Sequence, residues 1–219
     1  DSTVDDFDEV EFNAAVRNGK MLGTNGPVVQ VWTTDDEGVE RTPGITSFAP
    51  ATDAELEIEV RAAPWVPLDE VRIIVNGEVV RTIVDALVDP DDPFGTDGIE
   101  RLSISIPLDE LLPASGDAWV VVEAGRELEP NKDLNCDGVP DTGDNNGDGT
   151  IDWRDVEDLA EEPKESCFGD VGPLTEPPKP ERGTPDYYFW AVTPDGYPAG
   201  FANPLIFDFD GDGYEGVSQ

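Results

Sequence analysis

The eight residues Glu55-Leu56-Glu57-Ile58-Glu59-Val60-Arg61-Ala62 alternate polar and apolar without a break. Successive side chains of a strand point to opposite faces, so this segment must be extended, with one face wet and one face buried. No helix can use that pattern, because its apolar positions would spiral round the axis. A second segment fixes direction. Val71 to Val75 and Glu78 to Val84 flank Asn76-Gly77, the dipeptide that suits a type I′ turn, which predicts an antiparallel hairpin.

Further short apolar or alternating runs fit the same scheme. Val28 to Thr34, Leu102 to Ile106, Trp119 to Glu123, Tyr187 to Thr193 and Pro204 to Phe209 are all read as strands. With 22 glycines and 20 prolines, the chain is punctuated too often for long helices. A helix is expected over residues 5–18, where Phe7, Val10, Glu11, Ala14 and Ala15 share a face and Gly19 supplies the stop, and a second, short one through Val156, Leu159 and Ala160, stopped near Pro163. Residues 86–98 and 171–186 read as Pro/Gly/Asp-rich loops. The fold class is therefore mainly β: an antiparallel, immunoglobulin-like β-sandwich with a short N-terminal helix and a calcium-loop/helix insertion. The expected organisation is a helix and turn-rich link over 1–27, left from an upstream domain, then a sandwich over 28–219 interrupted by an acidic insertion at 131–170. The chain opens on Asp1-Ser2-Thr3 without a basic or apolar leader, which predicts a processed or excised protein.

Charge and histidine content remove whole classes of function. Fifty acidic residues against 13 basic ones leave a net charge of −37, which repels nucleic acid and anionic lipid and attracts hard cations. Two or three bound calcium ions would offset only about six of these charges, so most of the acidity is read as solvated surface. The chain has no histidine. A Ser-His-Asp triad, a Cys-His pair and any His-ligated zinc or iron are therefore excluded from it. No apolar run reaches the length of a membrane span. No catalytic constellation is found, and the chain is read as not being an enzyme in itself.

What the acidic insertion does carry is a run of oxygen ligands at alternate positions. In Asp144-Asn145-Asn146-Gly147-Asp148-Gly149-Thr150-Ile151-Asp152-Trp153-Arg154-Asp155, the residues Asp144, Asn146 and Asp148 take positions 1, 3 and 5 of an EF-hand-type loop. Gly149 makes the bend, Thr150 offers its carbonyl, and Asp152 and Asp155 take positions 9 and 12. Aspartate at position 12, in place of glutamate, resembles the dockerin-type loop. A second loop of the same spacing lies just upstream and shares Asp144, with Asp133, Asn135, Asp137, Val139 and Asp141 as ligands. Such tandem loops resemble thrombospondin type 3 repeats. A third cluster near the C-terminus places Asp208, Asp210 and Asp212 at positions 1, 3 and 5 with Gly213 at 6. All these donors are hard oxygens, so calcium is the expected ion, at the roughly 10⁻⁴–10⁻³ M affinity of extracellular modules. Cys136 and Cys167 flank the loops. A bridge between them would contribute roughly 3–4 kcal/mol on the chain-entropy model and fits an oxidising compartment. Trp65, Trp119, Trp153 and Trp190 are read mainly as core, with a sugar-stacking face as the alternative.

Four sets of residues follow in order: Arg17-Asn18-Gly19-Lys20 with Thr24-Asn25-Gly26-Pro27, then Ala63 to Asp69 with Val71 to Gly77, then Asp117 to Val122, and finally Phe201 to Gly213. Together they resemble the C-terminal region of PHP-type (CehA/McbA-like) metal-dependent hydrolases. The resemblance implies a secreted or cell-surface accessory domain that follows a histidine-rich catalytic barrel on the same polypeptide. It carries over no catalytic residue. The expected partners are calcium ions and that upstream domain, with a glycan or protein as a further partner. An independent calcium-dependent adhesion or carbohydrate-binding module is the alternative, and a purely structural extracellular domain a third reading.

Overall fold

A computed structural model describes residues 7–90, 92, 94, 99–113, 116–126, 130–132, 170–173, 180–193 and 196–214. The chain divides into two compact units: Asp1–Gly125 with Pro198–Gln219, and Arg126–Tyr197.

The first unit starts with helix α1 (Glu9–Arg17). Asp8 caps it by accepting the N–H groups of Val10 and Glu11, and Gly19 leaves it at φ 70°. The helix buries none of its residues. Strands follow as β1 (Leu22–Thr24), β2 (Val28–Thr34), β3 (Glu40–Arg41), β4 (Glu55–Arg61), β5 (Glu70–Val75), β6 (Glu78–Ile83), β7 (Glu100–Pro107) and β8 (Ala118–Gly125). The second unit holds β9 (Pro130–Lys132), β10 (Asp170–Pro173) and helix α2 (Pro185–Val192), with β9 and β10 paired antiparallel. Then β11 (Ala199–Ala202) and β12 (Leu205–Phe207) return to the first unit.

Two antiparallel sheets form the first unit. One runs β3-β2-β4-β7, and the other β1-β11-β8-β5-β6 with β12 also on β8. Inward residues of both sheets make one core: Val29, Val31, Leu56, Ile58, Val60, Leu102 and Ile106 from the first, and Val71, Ile73, Val75, Val120, Val122, Leu205 and Phe207 from the second. This is the β-sandwich that the alternation in β4 demands, and β4 keeps that alternation, with Leu56, Ile58 and Val60 buried. The Asn76-Gly77 turn forms with φ of 53° and 91°, the left-handed values that type I′ requires. Asn76 is also tied to β8: its Oδ1 accepts the Trp119 N–H at 2.9 Å and its N–H donates to Trp119 O at 3.1 Å.

Several segments differ from the sequence reading: Glu40–Arg41, Pro130–Lys132 and Asp170–Pro173 are short strands it did not name, the last running into the stretch read as a loop over 171–186. Leu22–Thr24, inside the stretch read as a turn-rich link, is strand β1. Ala199–Ala202 is strand β11, which the reading left out. Residues 187–193, read as a strand from their aromatics, lie in helix α2, which ends at Val192. The local signals that override β-propensity are at its start. Thr184 Oγ1 accepts the Tyr187 N–H, Pro185 takes the first turn, and Asp186 sits where a helix favours an acid. Within α2, Tyr187 packs against Trp190 with ring centroids 5.8 Å apart, and Asp186 pairs with Arg126.

Along one edge of β8 the chain lays down β11 and then β12, broken at Asn203-Pro204. Proline has no N–H for the ladder, so the pairing stops there. Asn203 uses the break: its N–H donates to Met21 O and its Nδ2 to Gly19 O at 2.6 Å.

Arg101 is the largest fully buried side chain, 1% exposed. Its Nε donates to Val88 O, Nη1 to Val66 O at 2.9 Å and Nη2 to Asp89. Burial holds its pKa below the ordinary value, against the opposing pull of the Asp89 carboxylate. Arg101→Met should keep the volume but strand the Val66 carbonyl among apolar atoms. We expect a loss of about 2 kcal/mol in denaturant unfolding, since an orphaned buried acceptor costs about 1–3 kcal/mol.

Asp35 organises the turn between β2 and β3. Its Oδ1 accepts from Val39 N at 2.7 Å and Glu37 N at 3.0 Å, and its Oδ2 from Arg41 Nε at 2.6 Å. The Val39 N–H above all, with Arg41 and Glu37, holds its carboxyl below the ordinary 3.8, against the opposing effect of burial. The folded state therefore favours the ionised form. That contribution is complete above pH 3.8 and is lost as pH falls below it. Asp35→Asn should melt below the native chain at neutral pH, and the gap should narrow in melts taken progressively below pH 3.8.

Candidate metal centre

The ladder between β8 and β12 ends on the pair Ala118 and Phe207. Both are fully buried, as the last inward rung of the core. The next residue on each strand is an aspartate, Asp117 before β8 and Asp208 after β12, so antiparallel register sets two carboxylates side by side at the sandwich's end. Asp208 is held from the backbone side as well, because its N–H donates to Phe48 O at 3.0 Å.

After Asp208 the chain turns back on it. Gly211 at φ 78° and Gly213 at φ 98° take left-handed values that other residues rarely adopt. Those bends aim two N–H groups at one carboxylate: Gly211 N donates to Asp208 Oδ1 at 2.7 Å and Gly213 N to Oδ2 at 3.0 Å. The same turn carries Asp210 over the site. Carboxylate oxygens of Asp117, Asp208 and Asp210 then lie within 4.8 Å of one another, with Asp208 buried, Asp117 half-buried and Asp210 exposed. Asp212 N donates to Asp210 Oδ1 at 3.4 Å. Hydrogen bonding with Asp212, through its side chain first and its N–H second, holds the Asp210 carboxyl below its ordinary value.

No protein-family model matches this chain, and no curated protein or solved structure does.

Three carboxylates converging from two strand ends and one turn repel one another unless a cation lies between them. The donor set fits a hard divalent ion: it is all oxygen, with no nitrogen or sulfur.

Of the residues singled out in the sequence, Asp208 and Asp210 belong to this group. Asp212 sits beside it, bonded to Asp210, and Asp117 enters in its place. Asp117 is the residue the reading missed. Its only signal was its position one step before a strand that pairs with the strand preceding Asp208. The remaining candidates, Asp133, Asn135, Asp137, Val139, Asp141, Asp144, Asn146, Asp148, Thr150, Asp152 and Asp155, lie outside the described residues, as do Cys136, Cys167, Trp153 and the short helix expected through Val156, Leu159 and Ala160. Trp65 and Trp119 belong to the first unit and Trp190 to the second, each half-buried. Among the described residues, no helix is long and apolar enough to cross a membrane.

Proposed function

We propose that this chain is a calcium-binding, non-catalytic β-sandwich module, the accessory domain of a secreted metal-dependent hydrolase. The observation that carries the metal reading is the meeting of Asp117, Asp208 and Asp210 at one end of the sandwich. A cation there would join the start of β8 to the end of β12 and neutralise part of a charge of −37. Its role is mechanical: it would hold the C-terminal turn onto the sheet. The EF-hand-like loops at 133–155 supply the second calcium region of the proposal. The accessory role rests on the resemblance to PHP-type hydrolases and on the lack of any histidine to build a catalytic metal site.

The experiment is a calcium titration followed by the backbone amide signals of Gly211 and Gly213, whose N–H groups hold Asp208. Both should shift and saturate together, and Asp210→Asn should weaken the response. Amides that stay still while calcium binds elsewhere would remove the site. The accessory reading predicts no phosphoester turnover by this chain with manganese or zinc, and robust turnover would defeat it.

A further inference from the structure

Away from the aspartate site, the outer face of the four-stranded sheet carries a groove of about 490 Å³ over Trp32. Strand register builds it. Trp32 lies opposite Glu57 on β4, and Thr34 lies opposite Glu40 on β3. Glu55 stands two residues from Glu57 on the same face of β4. The turn at 51–54, held by Ala51 N to Thr34 O and Ala54 N to Ala51 O, closes the end with Asp53. Trp32 is half-buried there, with an aromatic surface on an otherwise polar sheet face. On its other side, Trp32 and Glu40 also line a second groove of about 360 Å³, whose apolar lining includes Met21, Leu22 and Pro43, with Lys20 also on it. Met21 and Leu22 are 49% and 43% exposed.

The chemistry of the first groove selects its occupant. Its charged side chains are all carboxylates, and no lysine, arginine, asparagine or glutamine lines it. Apart from the hydroxyls of Thr34 and Thr52 and the Trp32 indole N–H, its polar side chains are acceptors, so a cationic donor is the complementary ligand group. Elsewhere on these sheets carboxylates meet an arginine: Glu59 with Arg61, Glu123 with Arg72, Asp35 with Arg41. Among the described residues Glu40, Asp53, Glu55 and Glu57 have no such cation, and Glu57 is steadied by Ser105 Oγ at 3.0 Å. An ammonium or guanidinium placed over the Trp32 ring would gain cation–π attraction as well as carboxylate partners. The apolar half next to it suits an aliphatic side chain one or two residues along. We propose that the Trp32 groove docks a short peptide segment presenting a lysine or arginine beside an apolar residue.

The test is calorimetric, on the whole chain at physiological ionic strength, where diffuse attraction is screened beyond about 8 Å. The probe is acetyl-Leu-Lys-Leu-Lys-amide, and the control replaces both lysines by glutamine. The lysine peptide should bind at least about ten-fold more tightly than the control. Trp32→Ala, which leaves the charge untouched, should weaken it by between about three-fold and thirty-fold, and Trp32→Phe should stay within about three-fold of the native chain. Circular dichroism melts establish that each variant folds. If Trp32→Ala does not, Glu55→Gln with Glu57→Gln carries the same test and should cost affinity for the lysine peptide alone. Equal binding by Trp32→Ala would reduce the effect to general acidity. Equal binding of the glutamine peptide, or no binding by the native chain, would equally overturn the proposal. So would capture of a neutral oligosaccharide in place of the peptide.

Discussion

Calcium at about a hundred times its dissociation constant is expected to raise the melting temperature of this chain by about 5–10 °C through the aspartate site alone. The arithmetic is that of linkage: ligand at that excess stabilises the folded state by about 2.7 kcal/mol, and for a chain of this size each kcal/mol moves the midpoint by about 2–4 °C. Screening of so acidic a chain would raise the midpoint in any salt, so the comparison is made at matched ionic strength. It is also made against Asp117→Asn, which removes one charge from the triad at nearly constant side-chain size. The increment lost in Asp117→Asn is the part owed to this site. An identical response in the native chain and the variant would assign the stabilisation elsewhere.

Phe207→Ala should cost about 3–5 kcal/mol, the usual loss for a large aromatic removed from a packed core. The value belongs at the upper end for reasons visible in the structure. Phe207 is fully buried, its ring centroid lies 5.1 Å from that of Phe48, and it pairs with Ala118 on the last rung of the ladder. Its neighbours are held by backbone bonds, with Phe48 N donating to Ile206 O and Phe48 O accepting from Asp208 N, so collapse into the void is restricted. The substitution should also weaken calcium binding, because the packing that holds the rung setting Asp117 beside Asp208 is lost. Urea unfolding with and without calcium separates the two effects. Full destabilisation with unchanged calcium affinity would mean that the site is positioned by its turn rather than by the strands.

The fold was legible where one face of an element is buried and the other is wet. β4 declared itself by alternation, and the β5–β6 hairpin by Asn76-Gly77. α2 was misread because Tyr187, Tyr188, Phe189 and Trp190 favour strands on their own, while the helix is set by the three residues before them. β1 and β11 escaped because Leu22-Gly23-Thr24 and Ala199-Gly200-Phe201-Ala202 carry glycine where a strand signal would need a β-branched residue, and only their pairing with each other and with β8 makes them strands.

The site was half legible for a similar reason. Asp208, Asp210, Gly211 and Gly213 form a local pattern that spacing alone reveals. Asp117 joins them across a large sequence separation, through the pairing of Ala118 with Phe207, and no local window contains that information. Asn203 Nδ2 donates to Gly19 O, and Asn25 Oδ1 accepts the Ala199 N–H at 2.6 Å. These bonds tie the segment after α1 to the return strands, which is reason enough for those side chains to stand where they do.

Crystals grown with calcium and measured for anomalous scattering put the account to its most direct trial. We expect a peak at the end of the β8–β12 ladder, within about 2.3–2.6 Å of oxygens from Asp117, Asp208 and Asp210. Calcium found only in the 133–155 loops, with the three aspartates turned apart toward solvent, would contradict it.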